Sequence, residues 1–223
     1  MQRRPEPELM TDQLQVLAYG QADFSQADAA LLEQLRPLLP AHGTRLRFVD
    51  LGCGPGNITL LLASAWPDAE VIGVDGSAPM LALARDRNRQ RSLKACFQER
   101  TLQSLVEEPA TSDLAPADAI VSNSVLHHLH DPGQLWRVVR ALGQHGTAVV
   151  HRDLRRPGSE AELDRLQRQH LPEAPECLIE DYRASLRAAF TVAEVQAQLR
   201  DAGLEGLRVA EHDDRYLSVV GVL

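Results

Sequence analysis

FVDLGCGPGN, Phe48 to Asn57, carries an apolar run into an acid and then sets glycines at positions 52, 54 and 56. The segment RLRFVDLG has the length and composition of a buried strand. A loop so rich in glycine lets its backbone approach a ligand without obstruction from Cβ atoms. Behind it, Ile58, Leu61, Leu62 and Ala65 repeat at helical spacing. Pro67 and Asp68 then turn the chain into EVIGVD, a second strand ending in Asp75. In an open α/β sheet, ligands sit beyond the carboxyl ends of the strands, so this loop is the expected site of a nucleotide-like cofactor.

The spacing is GxGxG, whereas a dinucleotide fingerprint reads GxGxxG and rests a pyrophosphate on the helix N-terminus. Asp50 discriminates further. It sits two residues before the first glycine. A carboxylate there repels a pyrophosphate but suits a positive amine or sulfonium, and S-adenosylmethionine carries both. Asp75 stands about twenty residues beyond the loop, where an acid accepts hydrogen bonds from ribose hydroxyls in adenosyl and NAD ligands alike.

Working outward, residues 1–45 read as an N-terminal helical cap. A short helix runs through Leu14, Leu17 and Ala18 to Gly20, and a second places Ala30, Leu31, Leu35 and Leu38 on one stripe before Pro40 and Gly43. Residues 46–154 alternate strands with helices. Ser77 is the N-cap of SAPMLALARDRNRQ, whose arginine-rich end reads as a solvated face. LKACFQER, ADAIVSNS and GTAVVHRDL read as further strands, with the helix DPGQLWRVVRAL before the last of them. This alternation implies right-handed crossovers and a mostly parallel sheet covered on both faces. Residues 155–190 interrupt it with two helical patterns around LPEAPEC, and read as a lid insertion. Residues 191–223 return to the core: a helix with Thr191 and Glu194 as a capping box and Gly203 as its stop, then the strands LRVAE and YLSVVGV.

The 223 residues suffice for one sizeable α/β core. A net charge of −8 argues against nucleic acid as the partner, since phosphate binding is driven by basic surface. Cys53, Cys96 and Cys177 are scattered without metal-type spacing, which suggests a reducing compartment. No apolar run is long enough to span a bilayer, and MQRRPEPELM lacks the apolar region of a secretory signal. The expectation is a cytoplasmic protein, monomeric or a homodimer.

FVDLGCGPGN with VIGVDGSAPML resembles the first two motifs of class I S-adenosylmethionine-dependent methyltransferases. SNSVLHHLHDP is similar to that superfamily's fourth-strand motif, especially in the ubiquinone/menaquinone C-methyltransferase branch. The resemblance implies a Rossmann-like α/β fold, with a mostly parallel seven-stranded sheet, helices on both faces and an antiparallel final strand. It implies that Gly52, Gly54 and Gly56, with Asn57, line the methionine portion of S-adenosylmethionine and that Asp50 holds its amine. Asp75 and Gly76 would meet the ribose, and Met80 would lie near the adenine. The family's acid after the third strand is replaced here by Arg100, Thr101 and Leu102, leaving the adenine amine to backbone groups or the Thr101 hydroxyl. Asn123 would lie near the transferable methyl, with His127, His128 and Asp153 as base candidates and Tyr19 and Asp23 as polar contacts from the N-terminal segment. HxxH and HExxH spacings are absent, so no metal is expected.

The activity expected is methyl transfer to a small-molecule acceptor at carbon, oxygen, nitrogen or sulfur, with S-adenosylhomocysteine as product. Alternatives are a non-catalytic S-adenosylmethionine-binding protein and a methyltransferase acting on protein or nucleic acid. An amino-directed enzyme would carry an NPPY-type motif where Asn123 is followed by Ser124, Val125 and Leu126. An NAD oxidoreductase fits least, because of Asp50.

Overall fold

The computed structural model describes residues 1–10, 12–22, 25–40, 45–107 and 113–223; Asp23 and Gly43 lie outside them, as does the side chain of Leu14. Helices α1 (Gln13–Gln21) and α2 (Ser25–Leu35) precede β1 (Arg47–Leu51), α3 (Asn57–Ala65), β2 (Glu70–Asp75), α4 (Ala78–Gln90) and β3 (Cys96–Glu99). Then follow α5 (Leu102–Glu107), β4 (Ala119–Asn123), α6 (Gly133–Leu142) and β5 (Ala148–Leu154). The chain finishes with α7 (Glu160–His170), α8 (Glu176–Ala188), α9 (Val192–Asp201), β6 (Arg208–Glu211) and β7 (Tyr216–Val222). Helix α5 and a short 3-10 turn at Leu126–His128 are additions to the elements read from sequence. Neither is long enough to establish a helical period.

The seven strands form one sheet in the order β3-β2-β1-β4-β5-β7-β6. The pairs from β3 through β5 are parallel, and β7 runs antiparallel to both neighbours. This is the Rossmann-like arrangement. Strand order reverses between β1 and β4, and that switch point is where such sheets leave a crevice.

Period-two alternation assigns the strand side chains to opposite faces. Val49, Leu51, Ile72, Val74 and Ile120 pack with Trp136, Val139, Val195 and Leu199 from α6 and α9. Phe48, Val71, Ala119 and Val121 pack instead against Leu31 and Leu35 of α2 and Ile58 and Leu62 of α3. A smaller cluster seats Leu163, Leu166 and Leu186 of α7 and α8 on Leu154 and Tyr216. The two helices of the 155–190 segment therefore sit at the carboxyl end of β5. No helix among the described residues is long and apolar enough to cross a membrane.

Candidate active site

A cleft of about 580 Å³ opens at the carboxyl ends of β1, β2, β4 and β5, within the roughly 300–1,000 Å³ typical of small-molecule sites. Its floor on one side is the glycine loop. Gly52, Gly54 and Gly56 take φ of 70°, 50° and 82°, a left-handed conformation that costs other residues about 1–2 kcal/mol. A Cβ on Gly52 would lie 2.2 Å from Val125 Cγ2, whereas one on Gly54 would meet nothing within 4 Å. Gly54 thus presents open space where a ligand can approach the backbone.

Gly56 has a different task. It does not line the cleft; a Cβ there would sit 3.1 Å from Ala84 and 3.3 Å from Phe97. As the N-cap of α3 it lets this turn pack against α4 and β3. Asn57 lines the cleft, but its Oδ1 accepts from Arg87 Nη1 at 2.9 Å. Arg87 also donates to the carbonyls of Pro55 and Gly20, bracing the loop and α1 together. One arginine of the expected solvated face of α4 is therefore structural.

Asp50 is 1% exposed and accepts from Thr59 Oγ1 at 2.6 Å. Burial pushes its pKa up to about 7 despite that bond, and the nearby Asp75 charge adds to the rise. Asp75 accepts from the backbone N–H of Gly54 at 2.8 Å through one oxygen and of Ser77 at 2.7 Å through the other. Each oxygen keeps lone-pair capacity for a ligand. Burial raises its pKa as well, against those two bonds. Gly76 and Met80 line the same end of the cleft, with Thr101 and Leu102 opposite. Thr101 Oγ1 is also the cap of α5, accepting from Ser104 N at 3.1 Å.

At the other end, Asn123 Oδ1 accepts from Arg152 Nε at 2.9 Å, which leaves its NH2 end to serve a ligand. Arg152 is itself buried and lies 3.4 Å from Asp28. Tyr19 lines the cleft, and burial raises its phenol pKa. His127 and His128 line it too.

Asp153 does not reach the cleft and is not placed to act as a base on a ligand there. It is 1% exposed, and one carboxylate oxygen accepts from the N–H groups of Val125, Leu126 and His127 at 3.0, 2.6 and 3.3 Å. The other oxygen binds His127 Nδ1. Burial alone would raise the pKa of Asp153, but the His127 charge and hydrogen bond outweigh it and hold the carboxyl at about 2. This acid caps the 126–128 turn and orients His127. Burial opposes charge on His127, yet Asp153 shifts it toward the protonated form. His128 is driven the other way, to about 3, by burial and by His127 beside it.

The N-terminal strap is the part of the site least anticipated. Glu6 Oε1 lies 3.5 Å from His127 Nε2 and 3.2 Å from His128 Nδ1. These three donor atoms lie within 4.8 Å of one another, a set that can in principle hold a cation. His128 Nδ1 is, however, also 3.3 Å from the Pro7 carbonyl, which favours a proton on that nitrogen. Arg3 donates to the carbonyls of His127, Leu129 and Ala188, and Ser77 Oγ to that of Met10. Residues 3–10 thereby stretch from α8 across the histidines to the cofactor end. No periodicity marks such an extended strap in sequence.

Residues 49–149 match the model of a methyltransferase domain. Over 104 residues the chain is 46% identical to trans-aconitate 2-methyltransferase of Afipia carboxidovorans, covering 47% of this chain and 37% of that protein. Over 130 residues it is 39% identical to the protein of the same name from Variovorax paradoxus, covering 58% and 46%. The matched stretch is thus less than half the length of these curated relatives. Among solved structures, the plantazolicin methyltransferase BpumL in complex with SAH superposes with a TM-score of 0.69 at 14% identity, covering 94% of this chain and 90% of that one. A SAM-dependent methyltransferase from Aquifex aeolicus gives 0.63 at 16%, covering 95% and 98%. The structures share the fold across nearly the whole chain. The curated relatives share sequence over about half of it, and they are trans-aconitate 2-methyltransferases, not members of the ubiquinone/menaquinone C-methyltransferase branch that the fourth-strand motif resembled.

Proposed function

We propose that this protein transfers a methyl group from S-adenosylmethionine to a small-molecule acceptor. The observation that carries this reading is a pair of carboxylates, the buried Asp50 and the half-buried Asp75, on either side of a left-handed glycine turn. Two acids make a poor cradle for a pyrophosphate and a good one for an ammonium group and a ribose diol. In this reading Asp50 holds the amine directly or through water and Asp75 takes the ribose hydroxyls. Gly52 and Gly54 border the methionine portion, with Asn57 beside them, while Gly76, Met80, Thr101 and Leu102 surround the nucleoside.

The sulfonium supplies the leaving group: the acceptor atom bonds to the methyl carbon as the carbon–sulfur bond breaks, its electron pair passing to sulfur to leave S-adenosylhomocysteine. What the chain must add is alignment and exclusion of water. Asn123 sits at the switch point to orient the two partners. Helices α7 and α8, α1 and α2, and the N-terminal strap all contribute cleft lining and serve as its lid. Asp153 shifts His127 toward the protonated form, which favours a donor over a base. That role suits an acceptor which is already anionic and needs no proton removed. The trans-aconitate enzymes point the same way, toward a small carboxylate rather than a quinol. A cytoplasmic setting fits the three free cysteines.

Calorimetric titration with S-adenosylmethionine, S-adenosylhomocysteine and NAD tests the cofactor assignment. The first two should bind and NAD should not; binding of NAD alone would overturn it. Cofactor binding without methyl transfer to any acceptor would favour a non-catalytic binding protein.

A further inference from the structure

Among the described residues, the basic side chains that line the cleft have acidic partners on the protein, with one exception. Arg100 lies 3.3 Å from Asp113, Arg152 3.4 Å from Asp28 and His170 3.0 Å from Asp214, while His127 is bound to Asp153. Arg215 also lines the cleft, and it has no ion pair among the described residues. Its Nε is buried without a hydrogen-bond partner. Burial opposes its charge, but Tyr216, Tyr182 and Asp213 together outweigh it and raise the pKa; the buried Nε is still left without an acceptor.

Tyr182 lies beside it. The Tyr182 hydroxyl is buried and lines the same cleft, and among the described residues the Arg215 guanidinium is the one group it engages. Tyr182 comes from α8 and Arg215 from the turn between β6 and β7, so two elements distant in sequence converge on one point. Both are held in place. Arg215 N donates to Asp213 Oδ1 at 2.8 Å, its carbonyl accepts from Arg155 N at 2.7 Å, and its guanidinium lies 4.8 Å from the centre of the Tyr216 ring. Of the acids that line the cleft nearby, Asp28 faces Arg152, and Asp181 accepts from Gln15 at 3.0 Å through one oxygen while its other oxygen is buried without a partner.

Position decides which ligand this point serves. Tyr216 pairs with Leu154 at the carboxyl end of β5, so Arg215 stands beyond the acceptor half of the sheet. Asp50 and Asp75 stand beyond β1 and β2, on the other side of the switch point. Buried donors left unpaired are costly, and a planar guanidinium with an adjacent hydroxyl is matched by a carboxylate.

We propose that Arg215 and Tyr182 form an anion site that binds a carboxylate of the methyl acceptor, which makes the acceptor a small carboxylic acid anchored at its far end. This rests on the methyl-transfer reading above, and its test is separable from that reading. Tricarballylate, glutarate and benzoate serve as probes, titrated by calorimetry with and without S-adenosylhomocysteine, alongside the neutral triamide of tricarballylate. At least one carboxylate should bind and the triamide should not. Arg215→Gln should weaken carboxylate binding by about 10- to 100-fold, the range for hydrogen bonds to a charged group. Arg215→Lys should recover part of the loss, and Tyr182→Phe should weaken binding several-fold in a protein that keeps its packing. Affinity for S-adenosylhomocysteine should stay within about twofold in all three variants. Carboxylates that fail to bind the wild type, or bind Arg215→Gln or Tyr182→Phe undiminished, would overturn the anion site. Failure of S-adenosylhomocysteine to bind would instead sink the cofactor assignment.

Discussion

Asp50 makes cofactor binding depend on pH in a direction that can be worked out beforehand. The apo carboxyl titrates at about 7 because it is buried, whereas a bound ammonium group requires it ionised. With that pKa, about 3% of the protein is ionised at pH 5.5 and about 75% at pH 7.5. Apparent affinity scales with the competent fraction, so it should rise about 25-fold between the two. Asp75, also raised by burial, pushes in the same direction. Titrating S-adenosylhomocysteine by calorimetry in buffers of different ionisation enthalpy counts the proton released near pH 6. Asp50→Asn should bind weakly and lose this pH dependence. Equal wild-type affinity at both pH values, with no proton released, would refute the role given to Asp50. The same shift has a consequence for stability. Asp50's folded pKa lies above its ordinary value near 3.8, so the apo fold holds an extra proton between about pH 4 and 7. Its contribution is fully present below that window and is lost as pH rises through it. The apo melting temperature should carry this downward component, and bound S-adenosylhomocysteine should diminish it.

Gly52→Ala forces a Cβ into Val125 at a positive φ; the strain and the clash together should cost about 2–5 kcal/mol in chemical denaturation, and a neutral result would mean the turn relaxes freely. Asp153→Ala strips the acceptor from His127 and from three backbone N–H groups, and should lower stability by about 3–5 kcal/mol; a change below about 1 kcal/mol would contradict its capping role. Treatment with EDTA should leave activity unchanged, because the Pro7 carbonyl facing Nδ1 of His128 favours a proton on that nitrogen over a metal ion. A loss of activity restored by one metal would assign the Glu6, His127 and His128 cluster to that ion.

Much of the fold was legible because each strand carries its own signal. FVDLG, EVIGVD and AIVSN are short apolar runs bounded by turn residues, and the helices between them repeat at 3.6. The chain direction at β7 came from resemblance, since periodicity says nothing of it. At the site, Asp50 and the glycines were readable because they adjoin one another along the chain, and Asp75 because it ends the next strand. The resemblance placed Gly56 at the cofactor, yet three-dimensional packing against Ala84 and Phe97 gives it another task. Asp153 looked like a base from its strand-end position; its surroundings, supplied by the turn at 126–128, make it a cap. Arg215, Tyr182 and Glu6 escaped notice because a lone polar residue in a turn, helix or strap carries no pattern until folding brings it to the cleft.

Incubation with S-adenosylmethionine carrying a labelled methyl group, over a panel of small carboxylates, phenols, quinols, thiols and amines, tests the central claim most directly. The label should appear in at least one of these small molecules, in equal amount to the S-adenosylhomocysteine formed. Cofactor binding with no labelled product from any class would contradict it.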